Sequence, residues 1–257
     1  AVTNRRLRNM LLFFVEQAIW GMSILNRYSP SHFSQVNRAL SGVYYVASQI
    51  SEVSPWYILD GKLKRLAKAF TPEPSLRNTG TVTTGDCAHF TLAADSIDYI
   101  FTDPPFGDNF PYSELNFSVE AWHRVVTAAA TEAVVERSKK NSDQKGVLEY
   151  QDLMRGCFAE CLRILKPGRW MTVVFSNSKN HVWRAIQEAM GTAGFVIADV
   201  RTLDKKQRSF KQVTSAAVKQ DLIISAYKPT EALAERFELG ANSTQASLDF
   251  FFTKTWP

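Results

Sequence analysis

Cysteine, histidine and long hydrophobic runs are all scarce in this chain, which has three cysteines and four histidines among 257 residues. Charged residues interrupt the apolar segments every few positions, so none reaches the ~20 residues that a membrane-spanning helix needs. The arginines at positions 5, 6 and 8 precede an apolar stretch, but Glu16 and Gln17 interrupt it and no small-residue cleavage site follows. We therefore expect a protein that is neither membrane-spanning nor exported.

The three cysteines, Cys87, Cys157 and Cys161, are odd in number and have no paired spacing. Such usage is typical of a reduced protein, and we expect a cytoplasmic location. Cys157 and Cys161 lie four residues apart on a predicted helix, a spacing that could serve a metal ion, but no nearby histidine completes a site. We expect buried helical cysteines and no metal.

The composition is that of an ordinary globular protein, with 45% hydrophobic and 21% charged residues. The length allows one large domain, or one domain with a helical extension. The net charge is +5, and residues 201–220 carry six basic side chains against one acidic, which equals the whole excess. A localised basic segment favours phosphate binding, the alternative being an ordinary solvated loop.

The N-terminal part of the chain is predicted to be helical. Apolar residues at helical spacing predict one helix over 5–28 and a second over 34–51. A third begins at Pro55, after Ser54, and runs to about residue 70. The proline-rich stretch 71–75 is predicted to be a linker.

From residue 80 onward, short strands alternate with helices, which is typical of an α/β domain with a parallel sheet. The predicted strands are 81–84, 97–102, 170–175, 195–203 and 221–227. The predicted helices are 113–130, 148–165 and 179–193, and residues 231–257 are predicted to form a short helix and an apolar tail.

The most informative motif is Asp103-Pro104-Pro105-Phe106, directly after the predicted strand 97–102. Pro104 forces Asp103 out of helical geometry, and the two proline rings fix φ at about −65°. The carboxylate is therefore expected in a rigid turn at the carboxyl end of a strand, where open α/β sheets place ligands.

These four residues can bind a planar amine and activate it. A carboxylate accepts a hydrogen bond from one N–H, and the carbonyl of Pro104 can accept the second. Phe106 can stack on the flat face of a nucleobase, a contact worth roughly 1–3 kcal/mol. The alternative is a strand that ends in a proline turn with Asp103 as a solvated cap.

On these residues the chain resembles the class I, S-adenosylmethionine-dependent amino-methyltransferases of the Asp-Pro-Pro-Phe type. The matching stretches are Thr84–Cys87, Ser96–Gly107 and Leu165–Phe175, and the continuation from Pro111 to Trp122 is similar to the large bacterial DNA methylases of restriction or phage-defence type. The resemblance covers about residues 80–228. It implies a Rossmann-like α/β sheet that is mostly parallel with an antiparallel last strand.

The resemblance also assigns roles to individual residues. The implied catalytic residues are Asp103, Pro104, Pro105 and Phe106, and those implied to bind S-adenosylmethionine are Gly85, Asp86, Cys87 and Asp103. The implied substrate contacts are Phe106, Asn109, Tyr112, Lys205, Lys206, Arg208, Phe210 and Lys211. Phe110 and Ser113 are further candidates, although core packing and a turn role, respectively, are equally compatible with the sequence.

Two elements of the family pattern are missing from the sequence: the glycine-rich loop after the first strand and the acidic residue that ends the second. We expect a segment of a longer methylase, with an incomplete sheet, whose N-terminal part holds those strands and is a partner of this chain. Residues 1–75 would then be a helical insertion or extension, 76–230 the catalytic core, and 231–257 a C-terminal helix and tail. This chain alone is expected to bind the cofactor weakly and to be a poor enzyme.

The implied activity is restriction-type methylation of an exocyclic amine of DNA. Adenine N6 is favoured because aspartate heads the motif. Cytosine N4 of DNA and guanine N2 of tRNA are the alternatives, the latter with RNA in place of DNA as partner. A non-catalytic DNA-binding subunit that retains the methyltransferase scaffold is a further one.

Overall fold

The chain forms two units, both of which draw on separate stretches of the sequence. In the computed structural model, the described residues are 2–36, 39–40, 43–44, 46–70, 80–107, 110–136, 145–176, 180–204 and 220–230. One unit comprises Ala1–Thr83 and Asp108–Val134, and the other comprises Thr84–Gly107 and Val135–Pro257. Within the described residues, no helix is both long enough and apolar enough to cross a membrane.

In the part of the chain that the structure describes, the first unit contains three α-helices, two single-turn 3-10 helices and two short antiparallel strand pairs. Its α-helices are α1 (Arg5–Ile19), α2 (Pro55–Ala69) and α3 (Tyr112–His123), and its strands are β1 (Asn26–Ser29), β2 (Phe33–Val36), β3 (Ala39–Leu40) and β4 (Val43–Tyr44). The Asn4 side chain caps α1 by accepting the N–H of Leu7 at 3.1 Å. Pro55 opens α2, as the sequence predicts, because its missing N–H costs nothing at a helix start.

The predicted helix over 34–51 is wrong, because this part of the chain forms the strands β2, β3 and β4. The first predicted helix also ends early, at Ile19 in place of residue 28. Asn26 explains both differences. Its side chain is 0% exposed, donates to the carbonyls of Gly21 at 3.0 Å and Ser51 at 3.1 Å, and accepts from the Ser34 hydroxyl at 2.6 Å. Those bonds satisfy a buried amide only when the chain turns back on itself here.

The described residues of the second unit include a four-stranded sheet. Its strands are β5 (Ile97–Thr102), β6 (Leu165–Phe175), β7 (Val196–Asp204) and β8 (Gln220–Tyr227), in the order β5-β6-β8-β7. β5 and β6 are parallel, and β8 is antiparallel to both β6 and β7. Three strands therefore share one direction and the last runs against them, which confirms the implied α/β architecture.

Two helices, α4 (Val147–Ile164) and α5 (Asn180–Thr192), accompany this sheet and pack against each other. Side chains alternate along the central strands, so that one face of the sheet is buried. Among the described residues, the fully buried strand residues are Leu165, Met171, Val173, Phe175, Ile224 and Ala226. Tyr150, Met154 and Phe158 follow one another at helical spacing on the buried stripe of α4. This layer is the hydrophobic core of the second unit.

Most of the elements predicted from residue 80 onward are confirmed, with shifted ends. Residues 81–84 are an exception, since they are exposed and lie in no strand. The predicted helix 113–130 ends at His123, because Arg124 adopts a left-handed φ of 56°. The predicted linker 71–75 and the predicted C-terminal helix and tail lie outside the described residues.

Candidate active site

The motif Asp103–Phe106 lies where the sequence predicts it, directly after β5. Because β5 and β6 are parallel, their carboxyl ends meet at the same edge of the sheet. Thr102, the last residue of β5, is aligned with Val173, two residues before β6 ends at Phe175. The motif therefore directly follows β5, at the edge of the sheet where the parallel strand β6 also ends.

Aromatic contacts hold Phe106 in place. Its ring meets the ring of Phe175 edge-on, with centroids 5.4 Å apart and an interplanar angle of 89°. Phe175 in turn contacts Trp183 of α5 edge-on at 4.8 Å. Phe175 is fully buried, whereas Phe106 remains half-buried. The core thus fixes the position of the Phe106 ring through an edge-to-face contact.

The backbone of the motif is held by a buried tyrosine. The Tyr150 hydroxyl donates to the carbonyl oxygen of Pro105 at 2.6 Å, and Tyr150 is 0% exposed. Pro104 and Gly107 are buried on either side of that carbonyl. Gly107 has a φ of 73°, a conformation that favours glycine, so the turn closes here without steric cost.

Asp103 is exposed at this edge of the sheet. A carboxylate in this position is accessible to a substrate and is carried by a backbone that Pro104 and Tyr150 restrict. The arrangement can accept hydrogen bonds from a planar amine placed against Phe106. Exposure alone is equally compatible with the alternative of a solvated cap.

The segment around Asp86 forms a tight turn. Its carboxylate accepts the N–H of Ala88 at 2.9 Å and lies 3.0 Å from Nδ1 of His89. The Ala88 bond, and then the His89 bond, hold the pKa of Asp86 below its usual value. Gly85, Asp86 and Cys87 are all exposed. A Cβ at Gly85 would meet nothing within 4 Å, so close backbone approach does not explain this glycine.

Side chains of α4 bind the next residues of this segment to the helix. Glu160 accepts the N–H of Phe90 at 2.8 Å, and Arg163 donates to the carbonyls of Phe90 at 3.1 Å and Leu92 at 2.8 Å. Arg163 also donates to Glu160 at 2.7 Å. That hydrogen bond is the main reason that the pKa of Glu160 is lowered to about 2. The segment that carries Asp86 is therefore fixed to the same helix that fixes Pro105.

The cysteines differ in exposure, and none forms a disulfide. Cys87 is exposed, Cys157 is half-buried and Cys161 is buried, as expected for two cysteines on the inner side of a helix. Burial raises the pKa of Cys157 to about 11 and that of Cys161 to about 12. Among the described residues no group of histidine, cysteine and acidic side chains could hold a metal ion.

The predicted substrate contacts fall into three groups. Phe106 lies in the second unit, as described above. Tyr112 opens α3 in the first unit, with its ring 6.0 Å from that of Phe110. The neighbouring Ser113 lies in the first turn of α3 and donates through its N–H (2.9 Å) and hydroxyl (2.5 Å) to Glu132. The remaining predicted contacts, Asn109, Lys205, Lys206, Arg208, Phe210 and Lys211, lie outside the described residues.

Three supporting residues are absent from the sequence-based prediction: Tyr150, Phe175 and Trp183. Tyr150 could have been suspected, because it shares an apolar helical stripe with Met154 and Phe158. A buried tyrosine hydroxyl needs a hydrogen-bond acceptor, which points to a partner elsewhere in the chain. Its identity, the Pro105 carbonyl 45 residues earlier, follows only from tertiary structure.

Comparison with known proteins identifies one family model, described as DNA methylase of the N6/N4 type, which matches residues 97–253. No curated protein matches the chain.

Several solved structures are similar in part. A putative DNA modification methylase from Thermus thermophilus, complexed with S-adenosyl-L-methionine, is 14% identical over 57% of this chain and 54% of its own, with a TM-score of 0.35. The PvuII DNA methyltransferase, described as cytosine-N4-specific, is 15% identical over 57% of this chain and 48% of its own, with a TM-score of 0.38. The chain spans about half the length of the first solved structures that it matches, between 48% and 54%.

Proposed function

Since the chain belongs to the DNA methylase family, whose model matches residues 97–253, we propose that it methylates an exocyclic amine of a DNA base. S-adenosylmethionine is the methyl donor. The observation that carries the proposal is the rigid Asp103–Phe106 turn at the carboxyl end of β5. Its carboxylate is exposed and its ring is fixed edge-on against Phe175.

When bound, S-adenosylmethionine supplies an electrophilic methyl group on a sulfonium. The base must first leave the duplex, at a cost of a few kcal/mol. Asp103 and the Pro104 carbonyl then accept the two N–H groups of its amine, which directs the nitrogen lone pair towards the methyl. The ring of Phe106 stacks on the base. The methyl group would pass from the sulfonium to the amine nitrogen, the S–C bond breaking as the N–C bond forms, and the proton that the amine loses would pass to solvent water.

The residues present fit part of the cofactor. Asp86 is exposed and both of its oxygens have acceptor capacity beyond the bonds to Ala88 and His89, so it can accept the adenine amine. We propose that Gly85, Asp86 and Cys87 contact the adenine end and that Asp103 lies at the reactive end. Among the described strands, none is followed by the glycine-rich loop that would hold the methionine part. We propose that a missing N-terminal part of the same protein supplies it.

We propose adenine N6 as the acceptor, because aspartate heads the motif, with cytosine N4 as the alternative within the family. The basic residues Lys205, Lys206, Arg208 and Lys211, together with Asn109, Tyr112 and Phe210, would contact the DNA. Methylation of tRNA ranks lower, since the family model that matches residues 97–253 is described as a DNA methylase. A non-catalytic DNA-binding subunit is the second candidate, favoured by the missing glycine-rich loop.

The proposal is tested by transfer of an isotope-labelled methyl group from S-adenosylmethionine to DNA and to tRNA. The Asp103→Ala variant should transfer about 10²–10⁴-fold more slowly, because it loses a positioned hydrogen-bonding side chain. Asp152→Ala is the matched control. It removes another exposed aspartate, which pairs with Arg155 on α4.

The outcomes separate the candidates. The proposed enzyme is supported if the parent chain and Asp152→Ala transfer the labelled methyl group to DNA and Asp103→Ala does not. Label in tRNA supports the RNA methyltransferase. DNA binding without label in either nucleic acid supports the non-catalytic subunit. Asp103→Ala acting on DNA at the parent rate would refute the mechanism.

A further inference from the structure

Helix α2 presents a face that combines exposed aromatic rings with exposed cations. Trp56 is 80% exposed and Tyr57 is 76% exposed, in the first turn of the helix. Tyr57, Asp60, Lys64 and Lys68 follow at intervals of three or four residues, so they share one face. All four are exposed. This stripe, with Trp56 beside it, is called the outer α2 face below.

The opposite side of α2 accounts for its stability. Ile58, Leu59 and Leu66 are less exposed than the outer residues. A Cβ at Gly21 would lie 3.0 Å from Ile58, so the backbone after α1 packs directly on this side chain. α2 also packs against α1 within the first unit. The helix is therefore anchored through its inner side, and the outer α2 face does not contribute to the core.

Two large aromatic side chains on an exposed helix face have no role in folding. Leaving a ring of this size in water forgoes roughly 2 kcal/mol of burial free energy. A helix face that combines exposed aromatic rings with exposed cations is typical of surfaces that bind nucleic acid, where rings stack on bases and cations contact phosphates.

The charge of this part of the chain is also unusual. Residues 55–69 carry four basic side chains and one acidic, and residues 1–70 carry nine basic and three acidic. The first 70 residues therefore carry a net charge of +6 (nine basic minus three acidic), which is larger than the net charge of the whole chain, +5. Lys64 is partly neutralised by Asp60, 2.7 Å away. A polyanion would complement this surface better than an acidic or neutral protein would.

We propose that the outer α2 face binds the DNA substrate outside the catalytic motif. Lys64 and Lys68 contact consecutive phosphates, and Trp56 and Tyr57 pack on unpaired bases or their sugars. The inference rests on the proposed DNA-methylating function for the choice of polyanion. It assigns DNA binding to the first unit, whereas the basic segment 201–220 belongs to the second.

The test is equilibrium binding of the intact chain to a fluorescent DNA duplex over a series of salt concentrations, without cofactor. Each lost phosphate contact lowers the slope of log affinity against log salt by about 0.9. The Lys64→Gln/Lys68→Gln variant should therefore lose about two units of slope. Arg155→Gln/Arg184→Gln is the control, since it removes two exposed cations from α4 and α5 and should keep the slope.

Two further variants test the same face, one expected to strengthen DNA binding and the other expected to weaken it. Asp60→Asn should bind DNA more tightly at low salt, because it removes the acid that neutralises Lys64. Trp56→Ala should bind single-stranded DNA about tenfold more weakly, which is a typical loss for one stacked base. Circular dichroism spectra that match those of the parent chain confirm that each variant is folded.

Other results would overturn the inference. An unchanged salt slope in Lys64→Gln/Lys68→Gln excludes phosphate contact by this face. Unchanged DNA affinity in Trp56→Ala, with loss of self-association in sedimentation, identifies the face as a surface for a second copy. Because binding is measured without methyl transfer, failure of the enzymatic proposal leaves the binding result interpretable.

Discussion

Tyr150 shows how one side chain on α4 can set the geometry of a motif 45 residues away. Tyr150 is fully buried, and its hydroxyl donates to the carbonyl between the second proline and Phe106. A hydrogen bond of this kind contributes about 1 kcal/mol, but leaving a buried partner unsatisfied costs more. The residue therefore couples packing of the core to the conformation of the Asp103 turn.

Tyr150→Phe removes that hydroxyl and keeps the ring. We expect the free energy of unfolding to fall by about 1–2 kcal/mol, because the Pro105 carbonyl loses a buried donor. Methyl transfer should also slow, because the turn that positions Asp103 becomes less rigid. A substitution that only lowers the stability of the fold away from this turn should not slow methyl transfer. Urea titration and the labelled-methyl assay measure the two effects.

Tyr99→Phe provides the comparison. Tyr99 also donates through its hydroxyl, to Thr172 at 2.7 Å, but it lies on the exposed face of β5. Its loss should change the free energy of unfolding by less than about 0.5 kcal/mol. Equal effects of the two substitutions would contradict a special role for Tyr150.

At the scale of elements, the end of α5 decides where β7 begins. The N–H of Phe195 donates to the Met190 carbonyl at 3.1 Å, and that of Gly194 to the Gly191 carbonyl at 2.9 Å. These two hydrogen bonds end the helix in a C-cap at Gly194, which has a φ of 103°. The turn then directs Phe195 into the core, where it is buried.

Gly194→Ala should destabilise the second unit by about 1–2 kcal/mol, since a side chain is strained at this φ. Its Cβ would also lie 3.0 Å from a methyl group of Leu162. Gly191→Ala is the matched control: it lies in the last turn of α5, where a Cβ meets nothing within 4 Å. That substitution should stabilise by about 0.5 kcal/mol. Urea unfolding of both variants measures the difference, and destabilisation by both would refute the capping argument.

For the whole molecule, stability in acid depends on carboxylates that are held ionised by their partners. Hydrogen bonds to Arg163 and then to the Phe90 N–H lower the pKa of Glu160 to about 2 from an ordinary 4.5. The hydrogen bond from Lys166 lowers that of Asp98. Because these pKa values lie lower in the folded state, the stabilisation is complete above the unfolded pKa and is lost as pH falls.

Glu160→Gln should therefore make the free energy of unfolding depend less steeply on pH in acid. The parent chain should lose free energy of unfolding as pH falls from about 4.5 towards 2, and the gap between parent and variant should narrow over this range. Urea titrations at successive pH values measure the gap. Glu188→Gln, an exposed glutamate on α5 that accepts from Gln151, is the control. A constant gap for Glu160→Gln would contradict the proposed coupling.

Local patterns in the sequence were sufficient for several features. An apolar run and proline chemistry located β5 and the motif that follows it, and helical periodicity located α2, α4 and α5. The local patterns failed where contacts with residues distant in the sequence determine the secondary structure. The stretch 34–51 has helical spacing, yet forms strands because Asn26 bonds to Gly21, Ser34 and Ser51. The threonine-rich stretch 81–84 has strand propensity, but lies in no strand.

By itself, the sequence determined the residue types of the motif, its rigidity and its place after a strand, because proline geometry and side-chain chemistry are local properties. Tertiary structure alone decided that Tyr150 holds Pro105, that Phe175 fixes Phe106, and that β8 is inserted between β6 and β7. Those contacts join residues that are 45 to 69 positions apart or pair strands across the sheet. Their energies depend on burial and register, which no short window of sequence contains.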